Sequence, residues 1–102
     1  MIFTDYETYC ELNIKDVGTH RYAVDSEPML LSFKVDHRRA DIWDITDGGP
    51  MPAELEDAVY ATDSDGFAVH RFCAYNAAFE RLHYAKIGVA TDVDDWEDAA
   101  VL

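Results

Sequence analysis

The sequence predicts an α/β domain in which a mixed sheet is flanked by helices. Three strand-like segments follow one another through short connections, helical and strand patterns then alternate, and Gly, Pro and Asn punctuate the boundaries. A three-stranded meander followed by a helical crossover implies a sheet with at least one parallel pair. The first strand is then expected at the centre, with both of its faces covered.

Ile2–Tyr9 reads as that strand, being short, rich in β-branched and aromatic residues, and free of Gly and Pro. Side chains alternate across a strand, so Phe3, Asp5, Glu7 and Tyr9 share one face and Ile2, Thr4, Tyr6 and Thr8 the other. Thr4 and Thr8 interrupt the face that would have to be core, so neither face is cleanly apolar. Residues 10–28 are mixed and polar, with Gly18 as a breaker and one helical turn expected around residues 14–17. Residues 29–36 alternate again, with Met29, Leu31, Phe33 and Val35 on one side. His37-Arg38-Arg39 makes a turn, residues 40–45 a third strand, and Asp47-Gly48-Gly49-Pro50 a stop.

Pro52 begins a helix whose Leu55, Ala58 and Val59 have the spacing of a buried stripe. Asp63-Ser64-Asp65-Gly66 is a loop, and residues 67–74 a fourth strand. Asn76 caps a helix running to about Lys86, closed by Gly88. Asp94 and Glu97 have capping-box spacing, and Trp96, Ala99 and Ala100 start the apolar face of a last helix. That pattern runs to Leu102 without a stop signal, so a C-terminally truncated domain is expected, its remaining strands and helices lying further on.

A chain of 102 residues is one domain at most, and 49% hydrophobic residues supply a core rather than a disordered segment. No basic stretch followed by an apolar run opens the sequence, and no apolar run approaches the ~20 residues of a membrane helix. Cys10 and Cys73 sit in or beside predicted strands without a CxxC or Cys/His cluster, as free, partly buried thiols of a reducing cytoplasm do. The net charge of −13 repels nucleic acid and favours cations, a basic partner or a high-salt host. An acidic protein still acts on DNA where bound metal ions neutralise the site. The local exception is the basic cluster at Arg38-Arg39 beside His37.

Two constellations carry chemistry. Asp5 and Glu7 stand two strand steps apart, roughly 7 Å, a spacing that lets two carboxylates share a pair of divalent ions held roughly 4 Å apart. Acid-x-acid pairs recur at Glu54/Glu56, Asp63/Asp65, Asp92/Asp94 and Asp95/Glu97, but only the first lies inside a predicted strand. The bland alternative is a half-exposed strand with its charged face in water. The second constellation is Cys73-Ala-Tyr-Asn-Ala-Ala-Phe-Glu-Arg81, where Asn76 caps a helix and Glu80 sits in its first turn, favoured by the helix dipole, kept ionised, and projecting near the strand ends. Its bland alternative is an ordinary first-turn acid. His20, His37, His70 and His83 read as surface or core residues, and Trp43 and Trp96 as core.

Asp-x-Glu-Thr on the first strand, with Asn-x-x-Phe-acid opening a helix after a later strand, resembles the first two motifs of the DEDD (DnaQ-like) 3′→5′ exonucleases, which have a ribonuclease-H-like fold. The likeness runs over most of the chain and is nearest to the proofreading exonuclease domain of family A DNA polymerases (DNA polymerase I type), phage versions especially. Gly18, Thr19, Tyr22 and Phe79-Glu80-Arg81 belong to it. The pair of motifs is moderately specific and each alone is weak.

The resemblance implies that Asp5 and Glu7 are the two acids of the first motif and Glu80 the third metal-site acid, where most of the superfamily has Asp. It also implies that the Thr8 backbone lies against the terminal nucleotide and that Asn76 lies near the substrate phosphate. Two Mg²⁺ or Mn²⁺ ions would be held by Asp5, Glu7 and Glu80. The substrate would be a single-stranded DNA 3′ end, and the partner a polymerase domain in the full-length chain. The setting would be the cytoplasm of a bacterium or phage-infected cell. The family's third motif, a Tyr or His followed by a fourth Asp, is absent from residues 1–102, so a partial domain with weak or no activity of its own is expected. A stand-alone DNA or RNA exonuclease of the same superfamily and an acidic module that mimics DNA are the alternatives.

Overall fold

The computed structural model describes residues 1–9 and 25–99. The helical turn at residues 14–17, the breaker Gly18, Thr19, Tyr22, His20, Cys10 and Ala100 lie outside the described residues. Five strands form one mixed sheet: β1 (Ile2–Tyr9), β2 (Glu27–Val35), β3 (Asp41–Asp44), β4 (Phe72–Ala74) and β5 (Trp96–Asp98), in the order β3-β2-β1-β4-β5. β1–β2 and β2–β3 pair antiparallel, whereas β1–β4 and β4–β5 pair parallel. Two helices lie wholly within the described residues: α1 (Ala53–Tyr60), within the crossover from β3 to β4, and α2 (Ala77–Lys86), between β4 and β5. A small α/β fold with a central β1 is therefore as expected.

Period-two alternation explains the sheet. Ile2, Thr4 and Tyr6 of β1 and Leu31, Phe33 and Val35 of β2 are buried, and their alternating neighbours Phe3, Asp5, Glu7 and Ser32 are exposed. Leu55 and Ala58 of α1 and Tyr84 of α2 join the same core cluster. The expectation that both faces of β1 are covered is corrected here: the Asp5 face is open to solvent. Thr4 does not interrupt the core, because its hydroxyl meets the Tyr84 hydroxyl at 2.9 Å inside it. A buried hydroxyl with a partner carries little penalty.

α2 forms as its sequence dictates. Asn76 caps it with a side chain accepting from the Phe79 N–H at 3.4 Å, and Gly88 follows with φ +89°. Asn76 itself has φ +61°, a left-handed conformation that Asn tolerates better than most side chains.

Two segments differ from the reading. Of residues 67–74, only Phe72–Ala74 form a strand, and Ala68 makes a lone bridge to Thr62. The second correction concerns the expected last helix. The capping box is real but lies at Asp92 and Asp95, over a 3₁₀ turn (Val93–Asp95), after which Trp96–Asp98 extends as β5. Trp96 stacks on Phe72 at 4.5 Å, and the Arg71 guanidinium donates to the Glu97 carboxylate at 2.6 Å. Pairing with β4 therefore overrides local helical spacing. Trp96 is core and Trp43 packs against it, as expected, and among the described residues no helix is long and apolar enough to cross a membrane.

Candidate active site

The site arises from a mismatch of strand lengths. β1 has eight residues and β4 three, and the two pair only at Ile2/Phe72 and Phe3/Cys73. Past Ala74 the chain turns through Tyr75 and Asn76 into α2, leaving the second half of β1 without a strand on that side. Glu80 fills the first part of this gap. Both of its carboxylate oxygens accept from the Tyr6 N–H, each at 3.1 Å, and its side chain is almost wholly buried. An open strand edge needs such a partner for its buried N–H.

Between β1 and the first turn of α2 lies a cavity of about 400 Å³ whose polar lining includes Asp5, Asn76 and Glu80. The structure thus brings together three of the five residues singled out from sequence. Glu7 is exposed on the same strand face as Asp5, and Thr8 is half-buried beyond a bulge between Glu7 and Thr8; neither lines the cavity.

Glu80 is not the dipole-stabilised, fully ionised acid expected. Burial pushes its carboxyl up to about 7, opposed by the Tyr6 N–H and reinforced by the nearby Asp5 charge. Tyr6 and Tyr84 flank it, their hydroxyls driven upward chiefly by burial.

Asp98 is a contributor that sequence reasoning missed. Its carboxylate accepts from the N–H groups of Asn76 and Ala77, both at 3.2 Å, so it anchors the N-terminus of α2, where an anion is favoured. No local signal announces it, because the contact spans more than twenty residues and depends on β5. His83 has a structural role. Its ring lies 2.7 Å from the Phe79 carbonyl through Nδ1 and 2.7 Å from the Ser26 hydroxyl through Nε2. A carbonyl only accepts, so Nδ1 carries the proton and Nε2 accepts from Ser26, in line with burial pushing the His83 pKa down. The pair ties the approach to β2 onto α2, both side chains fully enclosed.

As a cation site the donor set is partial. Among the described residues no three Asp, Glu, His or Cys side chains gather into a metal-binding group. Asp5 and Glu80 nevertheless line one cavity, and the repulsion of the Asp5 charge on Glu80 is what a divalent ion between them would relieve. No protein-family model, curated protein or solved structure matches the chain.

Proposed function

We propose that the chain serves a metal-dependent 3′→5′ exonuclease domain of ribonuclease-H-like fold, of the kind that proofreads within a DNA polymerase in the cytoplasm of a bacterial or phage-infected cell. The observation that carries this reading is the convergence of Asp5 and Glu80, from two motifs far apart in sequence, in one cavity beside the helix cap Asn76. The meander with two added parallel strands supports it.

In this reading Asp5, Glu7 and Glu80 hold the divalent ions, Glu7 by turning in from the exposed face of β1. Such ions would supply a water of lowered pKa and neutralise charge on a departing 3′ oxygen. The chain's own contributions are positional. The Tyr6 N–H fixes the Glu80 carboxylate, Asp98 and Asn76 hold the first turn of α2, the Thr8 backbone lies against the terminal nucleotide, and Asn76 lies near the substrate phosphate. Because Glu80 keeps its proton up to about pH 7, the ion competes with that proton, and affinity rises as the pH passes through this value.

Calorimetric titration of Mn²⁺ into the folded chain and its Asp5→Ala/Glu7→Ala variant tests this. Saturable binding lost in the variant is the expected result. Equal, weak binding by both would reduce the acids to diffuse charge and favour the second reading, an acidic module that mimics nucleic acid toward basic partners, which draws on the net charge of −13. A stand-alone exonuclease of the same superfamily would share the metal site and differ in substrate.

A further inference from the structure

At the end of the sheet where β4 begins, the chain builds a short ribbon that the fold leaves uncovered. The Val69 N–H donates to the Ala61 carbonyl at 3.0 Å and the Asp63 N–H to the Phe67 carbonyl at 2.8 Å, on either side of the antiparallel Thr62–Ala68 bridge. The turn of the ribbon is fixed locally. The Asp63 carboxylate accepts from the Asp65 and Phe67 N–H groups at 2.9 and 3.0 Å, and Gly66 supplies a φ of +85°. Every residue from Thr62 to Val69 is nevertheless exposed, Phe67 at 71% and Val69 at 55%. Tyr60, the last residue of α1, adds a third large side chain at 58%.

Two features point to an occupant. Strand alternation sets Phe67 and Val69 on one side of the ribbon and turns the N–H and C=O of Thr62 and Ala68 outward. Neither Thr62 nor Ala68 makes a backbone hydrogen bond among the described residues, so an open edge runs beside apolar side chains. A two-stranded ribbon is marginal in water by itself, and such an edge is a template for a further strand. The second feature is charge. Between Arg39 and Arg71 the sequence holds eight Asp and Glu residues and no Lys or Arg. Among the described residues only Glu54 of these has an ion-pair partner, Arg38 at 3.9 Å. Glu56 and Asp57 of α1 and Asp63 and Asp65 of the ribbon are all exposed. Their field repels a second copy of the ribbon, a nucleic acid and an anionic lipid surface alike, and favours a cationic polypeptide.

We infer that the ribbon at residues 61–69 is a docking edge for a basic, extended segment of a protein partner, which adds as a strand along Phe67–Val69. Its main chain pairs with Ala68, its apolar side chains lie beside Phe67 and Val69, and its Lys or Arg side chains reach the surrounding carboxylates. Main-chain bonds supply affinity, while the apolar pair and the carboxylates select the partner. The turn is already formed, so little order is lost on docking. The ribbon works independently of the Asp5–Glu80 cavity, because none of its residues lines that cavity. It also differs from nucleic-acid mimicry, which needs charge alone.

The test is fluorescence anisotropy of the full chain with labelled peptides of alternating Lys and Val, Lys and Ser, or Glu and Val. The Lys-Val peptide is expected to bind saturably, the Lys-Ser peptide about tenfold more weakly, and the Glu-Val peptide not at all. Phe67→Ser/Val69→Ser weakens Lys-Val binding by about tenfold and leaves Lys-Ser binding unchanged. Asp57→Asn/Asp65→Asn weakens both Lys peptides and flattens their salt dependence. Hydrogen exchange of the unaltered chain needs no substitution: the Ala68 amide slows when the Lys-Val peptide is bound.

Equal affinity for the Lys-Val and Lys-Ser peptides reduces the ribbon to diffuse charge and overturns the docking edge. So does unchanged Lys-Val binding in Phe67→Ser/Val69→Ser, or an Ala68 amide that exchanges at one rate with and without the peptide. A concentration-dependent dimer that Phe67→Ser/Val69→Ser dissociates would give the ribbon to a second copy. Binding to phosphatidylserine vesicles through the same two residues would give it to a membrane. Either result overturns the proposal.

Discussion

On one face of β1, Ile2, Thr4 and Tyr6 are buried against α2 and the rest of the core; on the other, Phe3, Asp5 and Glu7 stand in solvent. The backbone is the same, and only the parity of the residue number differs. The buried face admits polar groups on condition that each finds a partner, as the Thr4 hydroxyl does with Tyr84. The open face carries no such condition, so a carboxylate and an aromatic ring can stand in solvent there. The strand thus separates stability from chemistry by alternation, and Glu80, reaching the Tyr6 N–H at the strand edge, is the group that belongs to both.

The largest expected effect tests that separation directly. Tyr84→Ala removes a fully enclosed ring in contact with Tyr6, Phe72 and Trp96, and urea unfolding should show a loss of about 3–5 kcal/mol. Asp5→Ala, on the opposite face, should stay within about 0.5 kcal/mol of the parent. A large loss for Asp5→Ala would break the comparison.

Glu80 sharpens the comparison through pH. An acid whose folded pKa is raised, here from 4.5 to about 7, binds its proton more tightly in the folded state. Its contribution to stability is full below about pH 4.5 and is lost as the pH rises to about 7, a change on the order of 3 kcal/mol at 1.4 kcal/mol per unit. In Glu80→Gln that decline should vanish, so the two unfolding free energies measured from pH 4 to 8 converge or diverge with pH rather than running parallel. Parallel curves would mean that Glu80 is as well solvated as Asp5.

The smallest effect concerns the anchor of α2. Asp98→Ala deprives the Asn76 and Ala77 N–H groups of their acceptor and should cost about 0.5–2 kcal/mol. It should also weaken Mn²⁺ binding by loosening the turn that carries Glu80. An unchanged Mn²⁺ isotherm would assign the positioning of Glu80 to Tyr6 alone.

What could be read from sequence follows the range of the interactions involved. α2 was legible to the residue because its signals are local: Asn76 starts it and Gly88 ends it. β2 was legible because Leu31, Phe33 and Val35 alternate over a long enough run. β5 was not, because Trp96 and Ala99 have helical spacing, whereas pairing with β4, the stack of Trp96 on Phe72 and the Arg71–Glu97 pair extend Trp96–Asp98. Residues 67–71 have strand composition but no strand partner. For the site, motif spacing pointed to Asp5, Asn76 and Glu80 together. It gave no access to the burial that raises the Glu80 pKa or to the distant carboxylate of Asp98, and it included Glu7 and Thr8, which do not line the cavity.

The bond from Glu80 to Tyr6 spans 74 residues of sequence, and the β1–β4 pairing it extends is nearly as long-range. Contacts of that separation are slow to form, because the entropy of closing the loop is lost before any of them is made. During synthesis on the ribosome the β1–β2–β3 meander can emerge and pair while α2 has yet to be translated. Asp5 is then an isolated surface acid with no companion. The cavity comes into being only at docking of α2, so a nascent or partly folded chain has the hairpins of the domain and not the carboxylate cavity.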